Sequence, residues 1–161
     1  MENIHNIGTL YLIGQFVEKG FVVLEPNYRG SSAFCATFSN RFKAIPVGAG
    51  ISNWITYYVN TDITTFPRSY LGETPWNDPE IYAKTSPKTY IKTACTPTLI
   101  QHGDSDKRVP VPNAYELYRG LQDLEVGSEL VIFKGMSHSP YKPGLHKAIM
   151  EQNLDWFVKH V

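Results

Sequence analysis

Short apolar runs alternate along this chain with stripes at helical spacing, and turn-forming residues close each run. Residues 21–25, FVVLE, form a β-branched run of the kind that lies buried in a parallel sheet. Pro26, Asn27 and Gly30 then punctuate a turn. Phe34 and Phe38, four apart, share one face of a short helix over 31–40. FKAIPVGAG at 42–50 reads as the next strand, with Pro46 awkward inside a central strand because it donates no ladder hydrogen bond. A third run covers 98–100 and a fourth covers 129–133. Leu10, Ile13, Phe16 and Val17 recur at helical spacing before Gly20, a natural helix stop. Leu117, Tyr118, Leu121 and Leu124 line one side of a helix over 113–124. A last helix over about 143–159 turns Leu145, Ile149, Trp156 and Phe157 inward. Four strands alternating with helices predict an α/β protein with a mostly parallel sheet and right-handed crossovers.

Residues 51–86 are less regular. Asp78-Pro79-Glu80 still starts a helix, with Asp as cap and Pro at the first helical position. Ser86-Pro87 begins a further short helical turn.

The third and fourth runs both end in charged turns. His102-Gly103-Asp104-Ser105-Asp106 succeeds one and Lys134-Gly135-Met136-Ser137-His138 succeeds the other. In open α/β sheets, ligands and catalytic groups gather where loops leave the carboxyl ends of strands. An acid followed by a histidine is also the order of two triad members in α/β-hydrolases. Asp106 would hold the imidazole of His138 in the right tautomer; its bland alternative is a turn carboxylate bonded to backbone N–H groups. His138 would act as general base and then general acid, an ordinary pKa of ~6.5 suiting neutral pH. The alternative for it is a histidine on a solvated turn. His102 reads as structural, bonding the backbone beneath the Asp106 turn. His5, His146 and His160 have no partner visible in the sequence.

Gly30-Ser31-Ser32-Ala33-Phe34 imitates the opening of G-x-S-x-G without its final glycine, in a strand–turn–helix context. Ser32, or Ser31, is therefore the candidate nucleophile, although serines here also serve as helix caps. Cys35 is a second candidate, since thiolates near helix N-termini attack well; its other reading is a small buried hydrophobe.

Size and charge narrow the classes. One compact domain over 1–161 is expected, and 42% hydrophobic residues supply a core. Fifteen basic and fifteen acidic residues argue against an electrostatic nucleic-acid or membrane partner. Cys35 and Cys95 make neither a disulfide framework nor a zinc spacing, and no metal or cofactor motif stands out. MENIHNIG lacks the pattern of a signal peptide, and no apolar run approaches the ~20 residues of a membrane helix. A cytoplasmic protein without a cofactor is expected.

From residue 21 onward the sequence resembles the catalytic domain of the prolyl oligopeptidase family, above all its acylaminoacyl-peptidase and dipeptidyl-peptidase branches. The carriers are FVVLEPNYRGS at 21–31, RFKAIPVGAGISNW at 41–54 and SPKTYIKTACTPTLIQHGDSDKRVP at 86–110. NAYELYRGL at 113–121, KGMSH at 134–138 and MEQNLDWF at 150–157 complete the match. The resemblance implies an α/β-hydrolase in which Asp106 and His138 belong to a Ser-Asp-His triad. It also implies that Trp54 and Tyr57 meet the substrate's side chain. Two departures stand out. The family's propeller and its HGGP-type strand have no counterpart here, and its GWSYGG elbow should fall between YRGS and RFKA, where only 32–40 remain.

The expectation is thus a minimised α/β-hydrolase whose 21–25 strand fills the slot of the missing nucleophile strand and brings Ser32 to His138. Its function would be hydrolysis of small esters or short peptide-type acyl bonds. The other reading is a catalytically inactive remnant that binds a partner. A small sheet leaves edges open to pairing, so a homodimer is expected.

Overall fold

The computed structural model describes residues 13–21, 33, 36–37 and 40–161. All but the first residue of the expected 21–25 strand, together with Ser31, Ser32 and Cys35, lie outside them. Among the described residues, β1 (Ile45–Gly48), β2 (Thr98–Gly103) and β3 (Ser128–Phe133) form one parallel sheet in the order β1-β2-β3.

Strand register sets the level at which each loop leaves the sheet. Ile45 pairs with Thr98, and Thr98 with Ser128, so Gly103 and Phe133 end their strands side by side. The turns beyond β2 and β3 therefore depart at one level. β1 is shorter than the expected 42–50, because Ala49 adopts a positive φ of 45° and breaks the extended backbone. Pro46 costs β1 nothing on its paired side. The amides of Ile45 and Ala49 donate to Pro97 and Gln101, so alternation turns the nitrogen of Pro46 away from β2.

β2 is buried along its whole length because both sheet faces are covered. Ile100 joins Ile45, Val47, Leu117 and Leu121 on one face. Leu99 meets Trp156 and Ala44 on the other. The alternation of neighbouring residues to opposite faces is a direct consequence of strand geometry.

The helices correct several expectations. In α1 (Ile13–Glu18), Phe16 is buried against Phe21 and Phe157, whereas Val17 is exposed; six residues offer only one inward stripe. The stretch that looked irregular contains three helices, α2 (Trp54–Asn60), α3 (Thr65–Leu71) and α4 (Pro79–Thr85), then a 3₁₀ turn over Pro87–Thr93. Each α-helix there has seven residues and packs by aromatic rings, so no aliphatic period betrays it. Asp78 caps α4 as expected, accepting from the Ile81 amide at 3.1 Å. In α5 (Pro112–Asp123), Leu117 and Leu121 are buried, burial stabilising by about 1.5–3 kcal/mol for each such side chain. Leu124 lies just past the helix end and is exposed, contrary to expectation. In α6 (Pro143–His160) the buried positions are Met150, Asn153 and Trp156, while Leu145, Ile149 and Phe157 are half-buried. No helix among the described residues is long and apolar enough to cross a membrane.

Candidate active site

The turn after β2 is fastened to the turn after β3. Gly103 makes this possible: a Cβ there would lie 2.1 Å from the Met136 carbonyl oxygen. The amide of Ser105 donates to that oxygen at 3.1 Å, and the amide of Asp104 to the Phe133 carbonyl at 3.2 Å. In return, the Asp104 carboxylate accepts from the Gly135 amide at 2.7 Å. Two turns from strands adjacent in the sheet are thus held as one block.

Within that block the carboxylate of Asp106 is fully buried and serves on both oxygens. Oδ1 accepts the amides of Arg108 at 2.8 Å and Val109 at 2.9 Å. Oδ2 lies 2.9 Å from Nδ1 of His138. Both readings of this residue are therefore realised at once: it is a turn carboxylate, and it holds the imidazole. An ionised carboxylate only accepts, so Nδ1 carries the proton and Nε2 of the neutral ring keeps its lone pair. That tautomer is the one a general base requires.

Electrostatics support the pairing. Burial pushes the Asp106 pKa up, but the His138 hydrogen bond, the Val109 amide and the nearby imidazoles outweigh it, and the carboxyl titrates below its ordinary value. His138 moves the other way, raised chiefly by its hydrogen bond to Asp106 against the opposing effect of burial. His102 is wholly buried, and burial lowers its pKa. Its Nε2–H donates to the Val109 carbonyl at 2.6 Å, as the structural reading required. It also sits 3.6 Å from Asp106 Oδ2. His138 lines a cleft of about 180 Å³ with Gly48, Ala49, Gln101, Met136 and Ser139, where β1 ends beside the histidine turn.

The remaining sequence candidates occupy two regions of the chain. Trp54 and Tyr57 lie on α2, 7% and 1% exposed, with ring centroids 5.4 Å apart. Trp54 also stacks on Tyr70 at 5.3 Å. Their cluster includes Val109, so it lies against the Asp106 turn. Ser32, with Ser31 and Cys35, is outside the described residues. The hydroxyls of Ser52, Ser86, Ser105 and Ser137 donate to the Asn113, Tyr82, Asp104 and Ser139 oxygens respectively.

Several supporting residues carry no mark in the sequence. Buried Asn113 accepts the amides of Ser52 and Asn53, each at 3.2 Å, and donates to the Pro110 carbonyl at 3.2 Å. It thereby ties the loop after β1 to the start of α5. Thr61 and Asp62 reach the backbone just beyond Asp106. Partners about sixty positions apart leave no local signal in the sequence.

A parallel sheet flanked by helices, with an acid after one strand and the histidine it holds after the next, defines an α/β-hydrolase. The comparisons agree. The model of the prolyl oligopeptidase family matches residues 32–161, and the chain belongs to that family. It is 33% identical over 128 residues to the uncharacterized peptidase YuxL of Bacillus subtilis, covering 76% of this chain and 19% of that protein. It is 25% identical over 120 residues to dipeptidyl-peptidase 5 of Schizosaccharomyces pombe, covering 74% and 18%. Acylaminoacyl peptidase of Pyrococcus horikoshii matches in structure with a TM-score of 0.70 and 31% identity, over 78% of this chain and 21% of that one. The chain spans about a fifth of the length of these relatives.

Proposed function

We propose that this chain is a serine hydrolase of small esters or short peptide-type acyl bonds. The 2.9 Å contact between a buried carboxylate and the His138 Nδ1 carries the reading. In it, Ser32 is the nucleophile, His138 the base and Asp106 the orienting acid. Nε2 takes the hydroxyl proton as oxygen attacks the substrate carbonyl, and backbone N–H groups beyond Gly30 hold the resulting oxyanion. The imidazolium gives that proton to the leaving group, and water, activated by the same nitrogen, then releases the acyl group. Trp54 and Tyr57 shape the pocket for the substrate's side chain. Relatives described as peptidases support the reaction class. We also propose a soluble cytoplasmic protein that pairs as a homodimer, since the sheet has only three strands among the described residues; a monomeric mass by light scattering refutes the dimer.

Labelling with a fluorophosphonate, followed by peptide mapping, tests the nucleophile: an adduct on Ser32 is expected, and no adduct on Ser31 or Ser32 refutes the assignment. Turnover of a p-nitrophenyl ester should vanish in His138→Ala. A second reading, an inactive binding module, draws on the short 32–40 segment and on the structural duty of Asp106 Oδ1. It predicts the same background hydrolysis in wild type and His138→Ala.

A further inference from the structure

Two residues at the end of α2 make three links to the backbone and side chain directly after Asp106. Thr61 Oγ1 donates to the Arg108 carbonyl at 2.8 Å. The Asp62 amide donates to the Lys107 carbonyl at 3.0 Å. Asp62 Oδ1 lies 3.3 Å from Arg108 Nε. The amides of Arg108 and Val109 are the same ones that hold Asp106 Oδ1. Any movement of 107–108 therefore moves the carboxylate that orients His138.

We propose that the Asp62–Arg108 ion pair is a positioning device for the Asp106–His138 couple, pinning the turn that carries the acid. The ionisable groups that act on His138 are Asp106, which bonds it at 2.9 Å, His102, which lies 3.6 Å from the same Asp106 oxygen, and the charges of Arg108 and Asp62. Asp62 favours the imidazolium and Arg108 opposes it. Both partners are nearly half exposed, so salt weakens their influence. As charges alone they shift the imidazole in opposite directions, whereas loss of the pin loosens the Asp106–His138 bond and lowers the His138 midpoint whichever partner is removed.

The test is a proton NMR titration of the His138 ring in the full chain, its resonance assigned with His138→Gln. Asp62→Asn and Arg108→Gln should both move the midpoint to lower pH, because either frees the turn and loosens the Asp106 bond. The double substitution should shift no further than the larger single one, because the pin is lost only once, and all shifts should shrink in molar salt, which loosens the wild-type pair as well. Arg108→Lys, which keeps the charge, should stay near wild type, and it carries the test with Arg108→Gln should Asp62→Asn not fold. Shifts of opposite sign, a shift in only one of the two charge-removing variants, no shift, or equal shifts in Arg108→Lys and Arg108→Gln overturn the proposal. The inference rests on the hydrolase reading only for its catalytic consequence. The titration needs no turnover, so a chain that fails to label with fluorophosphonate still decides it.

Discussion

Replacing Gly103 by alanine probes the contact that brings acid and histidine together. The added Cβ lands 2.1 Å from the Met136 oxygen, 2.7 Å from its carbonyl carbon and 2.9 Å from the Ser137 oxygen. All three are backbone atoms, so no side chain can swing aside, and the two turns must part by more than about 1 Å to restore ordinary contact. That displacement stretches Ser105 N to Met136 O, Asp104 N to Phe133 O and Gly135 N to Asp104 Oδ1 beyond hydrogen-bond range. At about 0.5–1.5 kcal/mol for each of the three bonds, the loss is about 1.5–4.5 kcal/mol. Urea denaturation at neutral pH measures it. The His138 titration supplies a second reading, because an imidazole withdrawn from Asp106 loses the main cause of its raised pKa. Gly127→Ala is the control: its Cβ meets nothing within 4 Å and should change stability by less than about 0.5 kcal/mol. A Gly103→Ala protein as stable as that control, with an unaltered His138 midpoint, refutes the idea that the close approach of the turns builds the couple.

The same geometry fixes three further outcomes. Asp106→Asn keeps the volume and can still accept the two amides, but its NH₂ forces the His138 proton onto Nε2; kcat for any ester turned over should fall about 10⁴-fold with KM little changed, and a loss below tenfold contradicts the orienting role. The Asp106 pKa is lowered, so its contribution to stability is present above the ordinary carboxyl value and lost as pH falls through the folded one; the His138 pKa is raised, so its contribution is present below the ordinary imidazole value and lost as pH rises through the folded one. The destabilisation by His138→Ala should accordingly be greatest between about pH 5 and 6 and shrink towards pH 9, and a cost that grows over that range breaks the linkage. Asn113→Ala leaves the amides of Ser52 and Asn53 without their acceptor and should cost about 2–5 kcal/mol in urea denaturation; a cost below about 0.5 kcal/mol means those amides find another partner.

How far the fold and the site are legible in the chain depends on the distance over which each signal acts. The couple is legible because each member sits at the end of its own apolar run, and the parallel register of β2 with β3 turns that sequence position into spatial neighbourhood. The double duty of Asp106 is not, because a sequence offers turn carboxylate and histidine partner as alternatives while a carboxylate has two oxygens to serve both. Helices α2 to α4 are hidden for a different reason. Their core is a cluster of Trp54, Tyr57, Tyr58 and Tyr82, whose rings meet edge-on both within α2 and across to α4, with no aliphatic stripe to mark a helix. Asn113 and Asp62 lie further still from any local rule, since their partners are 61 and 46 residues away. These long-range ties nevertheless hold the backbone around the site: Asn113 fixes the loop after β1, and Asp62 fixes the turn after Asp106. Apolar runs and charged turns thus identify the acid and the histidine that pair, whereas their alignment to within a hydrogen bond depends on polar side chains recruited from distant loops.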